Sequence, residues 1–237
     1  MAARVLVTRP EPGASATAKR LRAAGLEPVL LPLTRIEALA ASFPNGAGGH
    51  DAVALTSVNA VRLASPGFLA GIAHLPCHAV GEATAEAARR AGLNVVAADA
   101  GDAQGLAAGL IAALPRGARV LYPCGRVRTK GFDDELARAG IDVTAIEIYD
   151  AVACDPSSDE IARRAGAAPL SAALVHSRRG GELLADIMSR PELRSIFEGT
   201  VVIGISAKAL EPLRDRPVAV ASTPSEPALI ETVKAKV

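Results

Sequence analysis

The chain has 237 residues, half of them hydrophobic, which is enough to build one large domain or two small ones with separate cores. Its 26 basic residues balance 25 acidic ones, and this near-neutral charge argues against a nucleic-acid-binding protein, whose surface usually carries a basic excess. Three widely spaced cysteines without a Cys/His cluster, and the lack of a signal-like or bilayer-length apolar segment, predict a cytoplasmic protein with reduced thiols, no metal and no membrane contact.

Short apolar runs alternate with helical stretches along the whole chain. The runs predict strands at Arg4–Val7, Pro28–Leu31, Ala52–Leu55, His78–Val80, Asn94–Ala97, Arg119–Tyr122, Val143–Ile148, Ala172–Val175, Val201–Ile203 and Val218–Ala221. The predicted helices include Ser15–Ala24, Ala83–Ala91, Leu106–Leu114, Asp133–Ala139 and Glu182–Met188, and several precede a glycine typical of a helix C-terminus. Strands that alternate with helices indicate βαβ units, so we predict an α/β fold with parallel sheets flanked by helices.

One pattern occurs twice in the chain. The segment RVLVTRP begins at Arg4, and RVLYPCG begins 115 residues later at Arg119. Ser57 in VALTSVNAV has its counterpart 120 residues later in ALVHSRRGG, and Gly81 in AVGEATA has one in VIGISAK. Three landmarks in the same order predict a duplicated α/β unit and therefore two similar lobes. Taken by itself, the repeat suggests two contiguous halves that join near Gly117.

Ligands of open parallel sheets bind beyond the carboxyl ends of the strands. Here the predicted strand ends carry small, hydroxylated or cationic residues, and several of them begin helices, whose amides favour anions. Two facing lobes would form a cleft lined by donors, which favours a small ligand with several carboxylates or phosphates. The candidate binding residues are Arg9, Thr56, Ser57, Thr84, Gly125, Arg128, Lys130, Ser177, Arg178 and Ser206. The alternatives are a helix N-cap for each serine or threonine and a solvated surface for each arginine.

Several of these segments together resemble the uroporphyrinogen-III synthase family. The resemblance lies in VLVTRPEPGASATAKRLRAAGLEPVLLPL, LTSVNAV, AVGEATAEAARRAGL, LYPCGRVRTKGFDDELARAGIDVTAIEIYDAV and VVIGISAKAL with its following PVAVASTPSEPALIETV. It extends over nearly the full length in the right order, and the combination of VTRP, TS.NAV, VG.ATA and YDAV is its most specific part.

The resemblance implies two lobes that exchange pieces. Residues 1–36 and 153–237 would form one discontinuous lobe, residues 37–152 the other, and a thin linker of two segments would join them. The two crossings would fall near Leu33–Ala38 and Tyr149–Pro156. The residues alone do not choose between contiguous and exchanged halves, and we follow the resemblance.

The resemblance also implies the reaction. The family converts the linear tetrapyrrole hydroxymethylbilane to uroporphyrinogen III, with loss of water and inversion of the last pyrrole ring. The substrate carries acetate and propionate arms, in agreement with a site lined by donors. Neither metal nor cofactor is expected, because the pyrroles supply the electrons, and we expect a monomer.

Tyr149 matches a tyrosine that the family places near the cleft, and the resemblance implies that its phenol donates a proton to the departing hydroxyl. The alternative is a linker tyrosine whose ring is packed. Thr84 and Ser206 are predicted at equivalent helix starts of the two lobes, with Ser206 in the role of a threonine found in many relatives. Cys124 is predicted as a small turn residue, and His176 as the end of its strand.

Two other function classes are weighed against this one. A dinucleotide-binding enzyme would need GxGxxG after a strand, and VGEATA and IGISAK lack that glycine pattern. A two-lobed binding module for a polyanionic small molecule would explain the duplication and stays the alternative.

Overall fold

Eleven strands and ten helices alternate along the described residues, which are 2–41, 48–98, 100–128, 131–166 and 168–237 of a computed structural model. The strands are β1 (Arg4–Val7), β2 (Glu27–Leu30), β3 (Thr34–Ala38), β4 (Ala52–Leu55), β5 (Pro76–Ala79), β6 (Asn94–Ala97), β7 (Arg119–Gly125), β8 (Asp142–Ala153), β9 (Ala172–Val175), β10 (Val201–Gly204) and β11 (Val218–Val220). The helices are α1 (Gly13–Ala23), α2 (Val58–Arg62), α3 (Pro66–Ile72), α4 (Glu82–Arg90), α5 (Ala103–Ala113), α6 (Gly131–Arg138), α7 (Ser158–Ala165), α8 (Arg178–Met188), α9 (Ala207–Leu210) and α10 (Glu226–Lys236). The predicted α/β class, with parallel sheets flanked by helices, is confirmed.

The chain divides into two compact units, here called lobe 1 (Met1–Ile36 with Val152–Val237) and lobe 2 (Glu37–Ala151). The sheet of lobe 1 has the strand order β11-β10-β9-β1-β2, and its strands are parallel. Val5 of β1 lies opposite Ala172 of β9. One face packs against α1 and α10, and the other against α7, α8 and α9. Because both faces are covered, the central strands appear in the sequence as continuous apolar runs.

The sheet of lobe 2 has the order β3-β8-β7-β4-β5-β6, and β4 to β8 are parallel where they pair. Ala52 of β4 lies opposite Val120 of β7. One face packs against α2, α3 and α4, and the other against α5 and α6. Lobe 2 therefore has the same layered construction as lobe 1.

The chain passes from one lobe to the other in β3 and in β8, and these two strands are neighbours. The amide of Leu39 donates to the carbonyl of Ile148, and the amide of Cys154 donates to that of Leu33, both at 2.8 Å, so the strands run in opposite directions. The apolar pattern predicts a strand that ends at Ile148 and none at β3, and both expectations are wrong. The reason is that three of the five residues of β3 are polar and three are exposed, so it forms neither an apolar run nor a clean alternation.

The two sheets are built from one five-strand unit. In lobe 2 this unit consists of β4, β5, β6, β7 and β8. Their counterparts in the sheet of lobe 1 are β9, β10, β11, β1 and β2, respectively. The segment β1–α1–β2 matches β7–α6–β8 without a gap. Gly25 and Gly140 follow the two helices with φ of 78° and 81°, and the next strands begin at Glu27 and Asp142. The repeats in the sequence thus mark equivalent strands.

Candidate functional site

In the middle of each sheet, where the strand order reverses, two neighbouring strands are followed by helices on opposite faces. In lobe 1 these strands are β1, followed by α1, and β9, followed by α8. In lobe 2 they are β4, followed by α2, and β7, followed by α6. Open parallel sheets bind their ligands in the crevice at such a point, beyond the carboxyl ends of the strands. The candidate functional residues are therefore those at the ends of these four strands.

A carboxylate lies at the crevice of lobe 1. Glu226, the first residue of α10, accepts hydrogen bonds from Arg9 Nη1 at 2.9 Å and from His176 Nε2 at 3.1 Å. The hydroxyl of Thr17, on α1, donates to the other carboxylate oxygen. Arg9 follows β1 and His176 follows β9, so this cluster ties the two strand ends to the helices on one face. We call these four residues the Glu226 cluster.

The cluster holds Glu226 ionised. Burial by itself raises the pKa of this carboxyl, but the hydrogen bonds from His176 and Thr17, with the charges of His176 and Arg9, outweigh burial and lower the pKa to about 2. Arg9 thus has a carboxylate partner already, although 32% of its side chain is exposed. His176 does more than end its strand, because it shares this carboxylate.

A cavity of about 600 Å³ lies at the crevice of lobe 2, between α5 and α6. The hydroxyls of Thr56, which follows β4, and of Tyr122, on β7, lie 3.0 Å apart on its wall. The ring of Tyr122 packs against that of Phe132 with 4.6 Å between centroids. The wall consists of Thr56, Ala103, Gln104, Tyr122, Arg128, Gly131, Phe132, Glu135 and Arg138. Two candidate residues, Thr56 and Arg128, therefore lie at one cavity, whereas Tyr122 is absent from the residues that the sequence predicts.

The two Nη atoms of the Arg128 guanidinium group lie near carboxylates. Nη2 lies 3.3 Å from a carboxylate oxygen of Asp133, and Nη1 lies 4.0 Å from one of Glu147. The Nε atom of Arg128 and the Oδ1 atom of Asp133 are buried without a hydrogen-bond partner among the described residues. Burial raises the pKa of the Tyr122 phenol, so it stays protonated and can donate.

Tyr149 lies on β8, beside the end of β7. Its backbone carbonyl accepts a hydrogen bond from the amide of Arg126 at 2.8 Å, and its ring covers Gly125. A Cβ atom at Gly125 would lie 2.8 Å from two ring carbons and 3.1 Å from the phenol oxygen, so this close approach requires glycine. The Tyr149 phenol makes no hydrogen bond to any other residue that the structure describes. Both Gly125 and Tyr149 thus lie at the carboxyl end of β7, the edge at which open parallel sheets generally bind ligands.

The three candidate serines are helix N-caps. The hydroxyl of Ser57 accepts from the amide two residues later at 3.2 Å, while those of Ser177 and Ser206 accept from the amide three residues later at 3.1 and 3.4 Å. The N-cap alternative is therefore the role that the structure shows. Each of these helices still has further free amides in its first turn.

Thr84 is not equivalent to Ser206. The N-cap of α4 is Gly81, and Thr84 is buried three residues further along the helix. Ser206, by contrast, is itself the N-cap of α9. The shared glycine pattern misplaces the threonine, because Gly204 is the last residue of β10, whereas Gly81 lies two residues after the end of β5 and is the counterpart of Ser206.

Two further predictions on individual residues have clear outcomes. Cys124 is not a turn residue, since it is buried within β7, where its thiol donates to the carbonyl of Ile146 at 3.6 Å. Arg178 is about half-exposed and forms ion pairs with Glu182 and Glu211, both at 3.2 Å. Lys130 lies outside the described residues.

The described ranges contain no group of His, Cys, Asp or Glu side chains arranged to hold a metal ion. Nor does any helix in that part of the chain have the length and apolarity required to cross a membrane. Beside the carboxylates of Glu226, Asp133 and Glu147, the polar groups at the strand ends are hydroxyls, guanidinium groups, an imidazole and helix amides, and these donors are suited to carboxylates.

The chain matches one protein family over most of its length and is similar to several solved structures. Residues 15–231 match the family model described as uroporphyrinogen-III synthase HemD. No curated protein gives a significant sequence match. Among solved structures, the chain is similar to uroporphyrinogen-III synthetase from Helicobacter pylori, with 17% identity, 99% of both chains covered and a TM-score of 0.71. It is also similar to a mutant uroporphyrinogen III synthase from Thermus thermophilus, with 20% identity, 99% of this chain and 98% of that chain covered, and a TM-score of 0.58.

Proposed function

The chain belongs to the uroporphyrinogen-III synthase family, and from this premise we propose how its residues carry out the family's reaction. Members of the family cyclise hydroxymethylbilane in tetrapyrrole biosynthesis, and the chain is accordingly an enzyme of the lyase class. The observation that carries this assignment is the family match over residues 15–231, which includes strands of both sheets. A binding module without catalysis is not favoured, because the match is to a family of enzymes.

We propose that the acetate and propionate arms of hydroxymethylbilane bind at the carboxyl edges of the two sheets. The donors available there are the amides that begin α2, α8 and α9 and the side chains of Thr56, Arg128 and Arg178. Arg9, with 32% of its side chain exposed and one edge held by Glu226, can offer its remaining N–H groups to a carboxylate. Thr84 is withdrawn from this set because it is buried.

The reaction begins with loss of the terminal hydroxyl of the substrate as water. The pyrrole nitrogen pushes the electrons, so an electron-poor azafulvene forms without a metal or cofactor. The substituted carbon of the last ring then attacks this group and forms a spiro intermediate, which fragments and closes again in the inverted sense. The proton released when the ring regains aromaticity balances the proton consumed at the start, and the net change is loss of one water.

We propose that Tyr149 donates the proton to the leaving hydroxyl. Support comes from its phenol, which has no hydrogen-bond partner among the described residues, and from its position beside the end of β7. The lack of a side chain at Gly125 lets the ring pack directly against the end of β7. A single general acid contributes about 10²- to 10⁴-fold to the rate.

The protein selects the isomer by the conformation in which it holds the last two rings. Without such a constraint the unsubstituted carbon reacts and the uninverted isomer forms. Each tenfold of selection requires only about 1.4 kcal/mol of difference between the two barriers. Fixed binding of several carboxylate arms can supply more than this through orientation.

The function is tested by incubating the purified protein with hydroxymethylbilane and separating the product isomers after oxidation to porphyrins. We expect the inverted isomer to dominate at catalytic protein concentrations. If only the uninverted isomer forms, even with protein in excess over substrate, the chain is a binder and the proposal is wrong. The monomeric state and the cytoplasmic location stay predictions, which gel filtration and cell fractionation can test.

A further inference from the structure

The helices α10 and α5 begin at equivalent places in the two lobes. Each follows the outermost strand of its five-strand unit, β11 or β6. Ser225 and Asp102 are their N-caps, and each side chain accepts a hydrogen bond from the amide three residues later. Glu226 and Ala103 are therefore equivalent first residues. Lobe 1 has a carboxylate at this position, and lobe 2 has a methyl group.

Two of the three donors around this position, His176 and Arg9, also have counterparts in lobe 2. His176 and Thr56 are the first residues after the matching strands β9 and β4, and both carry a donor. The guanidinium of Arg9 lies against Gly13, where a Cβ atom would be 2.5 Å from Nε. In the gap-free match of 115 residues, Arg128 stands at the place of Gly13. The two lobes thus bring an arginine to the same point from different positions of the chain.

Lobe 2 consequently has counterparts of Arg9 and His176 but not of Thr17, whose place Phe132 takes, and it has no carboxylate at the Glu226 position. Ala103 lies on the wall of the 600 Å³ cavity, where the equivalent of Glu226 would extend. Two arginines and one glutamate line this cavity, and Asp133, which pairs with Arg128, keeps one buried carboxylate oxygen without a partner among the described residues. Asp133 and Glu147 hold the Nη atoms of Arg128, but its Nε has no partner among the described residues. A buried, unpaired donor of this kind is costly unless a ligand uses it.

We propose that the lobe 2 cavity binds one carboxylate arm of the tetrapyrrole, in the position that the Glu226 carboxylate takes in lobe 1. Arg128 and the hydroxyls of Thr56 and Tyr122 donate to this carboxylate. Tyr122 thereby becomes a binding residue, and Ala103 a residue that keeps the cavity open. The identity of the ligand rests on the proposed function, whereas the carboxylate chemistry rests on the comparison of the two lobes.

The test is the variant Ala103→Glu, which gives lobe 2 the carboxylate that lobe 1 has. The new side chain competes with the ligand for Arg128. In a separate double variant, Thr56→Val combined with Tyr122→Phe removes the two hydroxyl donors. We expect Ala103→Glu to raise the KM for hydroxymethylbilane and the Kd for uroporphyrinogen III about tenfold or more, the usual size of one hydrogen bond to a charged group. Titration calorimetry measures the Kd independently of turnover.

The matched control is Ala108→Glu, which adds the same charge to an exposed position of α5 away from the cavity. We expect it to change KM and Kd less than twofold. Ala103→Gln fills the cavity with an uncharged side chain of the same length and is expected to weaken binding less than Ala103→Glu. Thermal unfolding by circular dichroism checks that each variant is folded.

The proposal is wrong if the Ala103→Glu variant has the same Kd and KM as the parent protein. It is also wrong if Ala108→Glu weakens binding of the ligand as much as Ala103→Glu does. Failure of the proposed function looks different, because the parent protein then yields only the uninverted isomer. In that case the calorimetric Kd still shows whether the lobe 2 cavity binds a carboxylate. Loss of binding in Ala103→Glu alone supports a carboxylate site, and unchanged binding overturns it.

Discussion

Replacing Glu226 by glutamine tests how the Glu226 cluster contributes to stability. The pKa of this carboxyl is lowered from its ordinary 4.5 to about 2, and only 11% of the side chain is exposed, so solvent screens the cluster weakly. Lowering the pKa from 4.5 to about 2 corresponds to about 3 kcal/mol in the free energy of unfolding. We therefore expect Glu226→Gln to lose about 3 kcal/mol near neutral pH, an amount typical of breaking a buried charge pair.

The pH dependence follows from the sign of the shift. Because the folded state lowers the pKa of Glu226, its ionised form favours folding, and the contribution is complete above pH 4.5. As the pH falls from about 4.5 to 2, the carboxylate takes up a proton and the contribution is lost. The difference in stability between the parent protein and Glu226→Gln should shrink over this range.

The assay is urea-induced unfolding between pH 2 and 7, followed by two signals. The chain has no tryptophan, and its two tyrosines, Tyr122 and Tyr149, both lie in lobe 2. Tyrosine fluorescence therefore reports lobe 2, while circular dichroism reports both lobes. Glu226→Gln should therefore shift the unfolding transition of lobe 1, which is seen by circular dichroism and not by tyrosine fluorescence.

The control is Glu231→Gln on the same helix. This carboxylate is 69% exposed and pairs with Lys234 at 3.0 Å, and such surface pairs contribute less than about 1 kcal/mol. We expect the control to leave the profile between pH 2 and 5 nearly unchanged. Equal losses in Glu226→Gln and Glu231→Gln, or a pH profile unaffected by Glu226→Gln, would refute the argument.

The remaining predictions concern the sheet edge and the thiols. Tyr149→Phe should lower kcat about 100-fold with the isomer ratio kept, as measured by chromatography of the products; an undiminished rate contradicts its role as an acid. Gly125→Ala should displace the Tyr149 ring, so its loss of kcat should vanish in the Tyr149→Phe background, and additive losses would contradict that link. Burial raises the pKa of Cys77 to about 12 and that of Cys124 to about 11, so iodoacetamide at pH 8 should modify only the partly exposed Cys154. Peptide mass spectrometry checks this, and labelled Cys124 in the folded protein would contradict it.

The fold class was predictable from the sequence because its strands are buried on both faces. Runs such as Ala52–Leu55 and Ala172–Val175 are wholly buried, so periodicity and composition point to them directly. The strand β3 could not be predicted in this way, because it is stabilised by pairing with β8, which no local pattern records. Strand position follows from local hydrophobicity, whereas the extension of a strand depends on its partner.

The candidate site was predictable only in part. Strand-end residues such as Thr56 and Arg128 could be named, because the topology of parallel sheets brings strand ends together. Glu226 could not, since its partners Arg9 and His176 are 217 and 50 residues away in sequence. Its only local signal is an acidic residue directly after a serine N-cap, which is typical of any helix start. The distinction between a binding serine and a capping serine likewise needed the hydrogen bonds themselves.

The central place of β1 in its sheet has a consequence for the order of events during synthesis. Val5 pairs with Ala172, about 167 residues further along the chain, whereas the parallel strands β4 to β8 all lie within residues 52–153. At roughly 5–20 residues per second, the ribosome delivers β9 some 10–30 s after β1. Over that interval β1, α1 and β2 have only one another to pack against, while the whole of lobe 2 emerges. During synthesis, lobe 2 can therefore fold before lobe 1. The N-terminal strands β1 and β2 stay unpaired with β9 in the meantime and are the part of the polypeptide most dependent on chaperones.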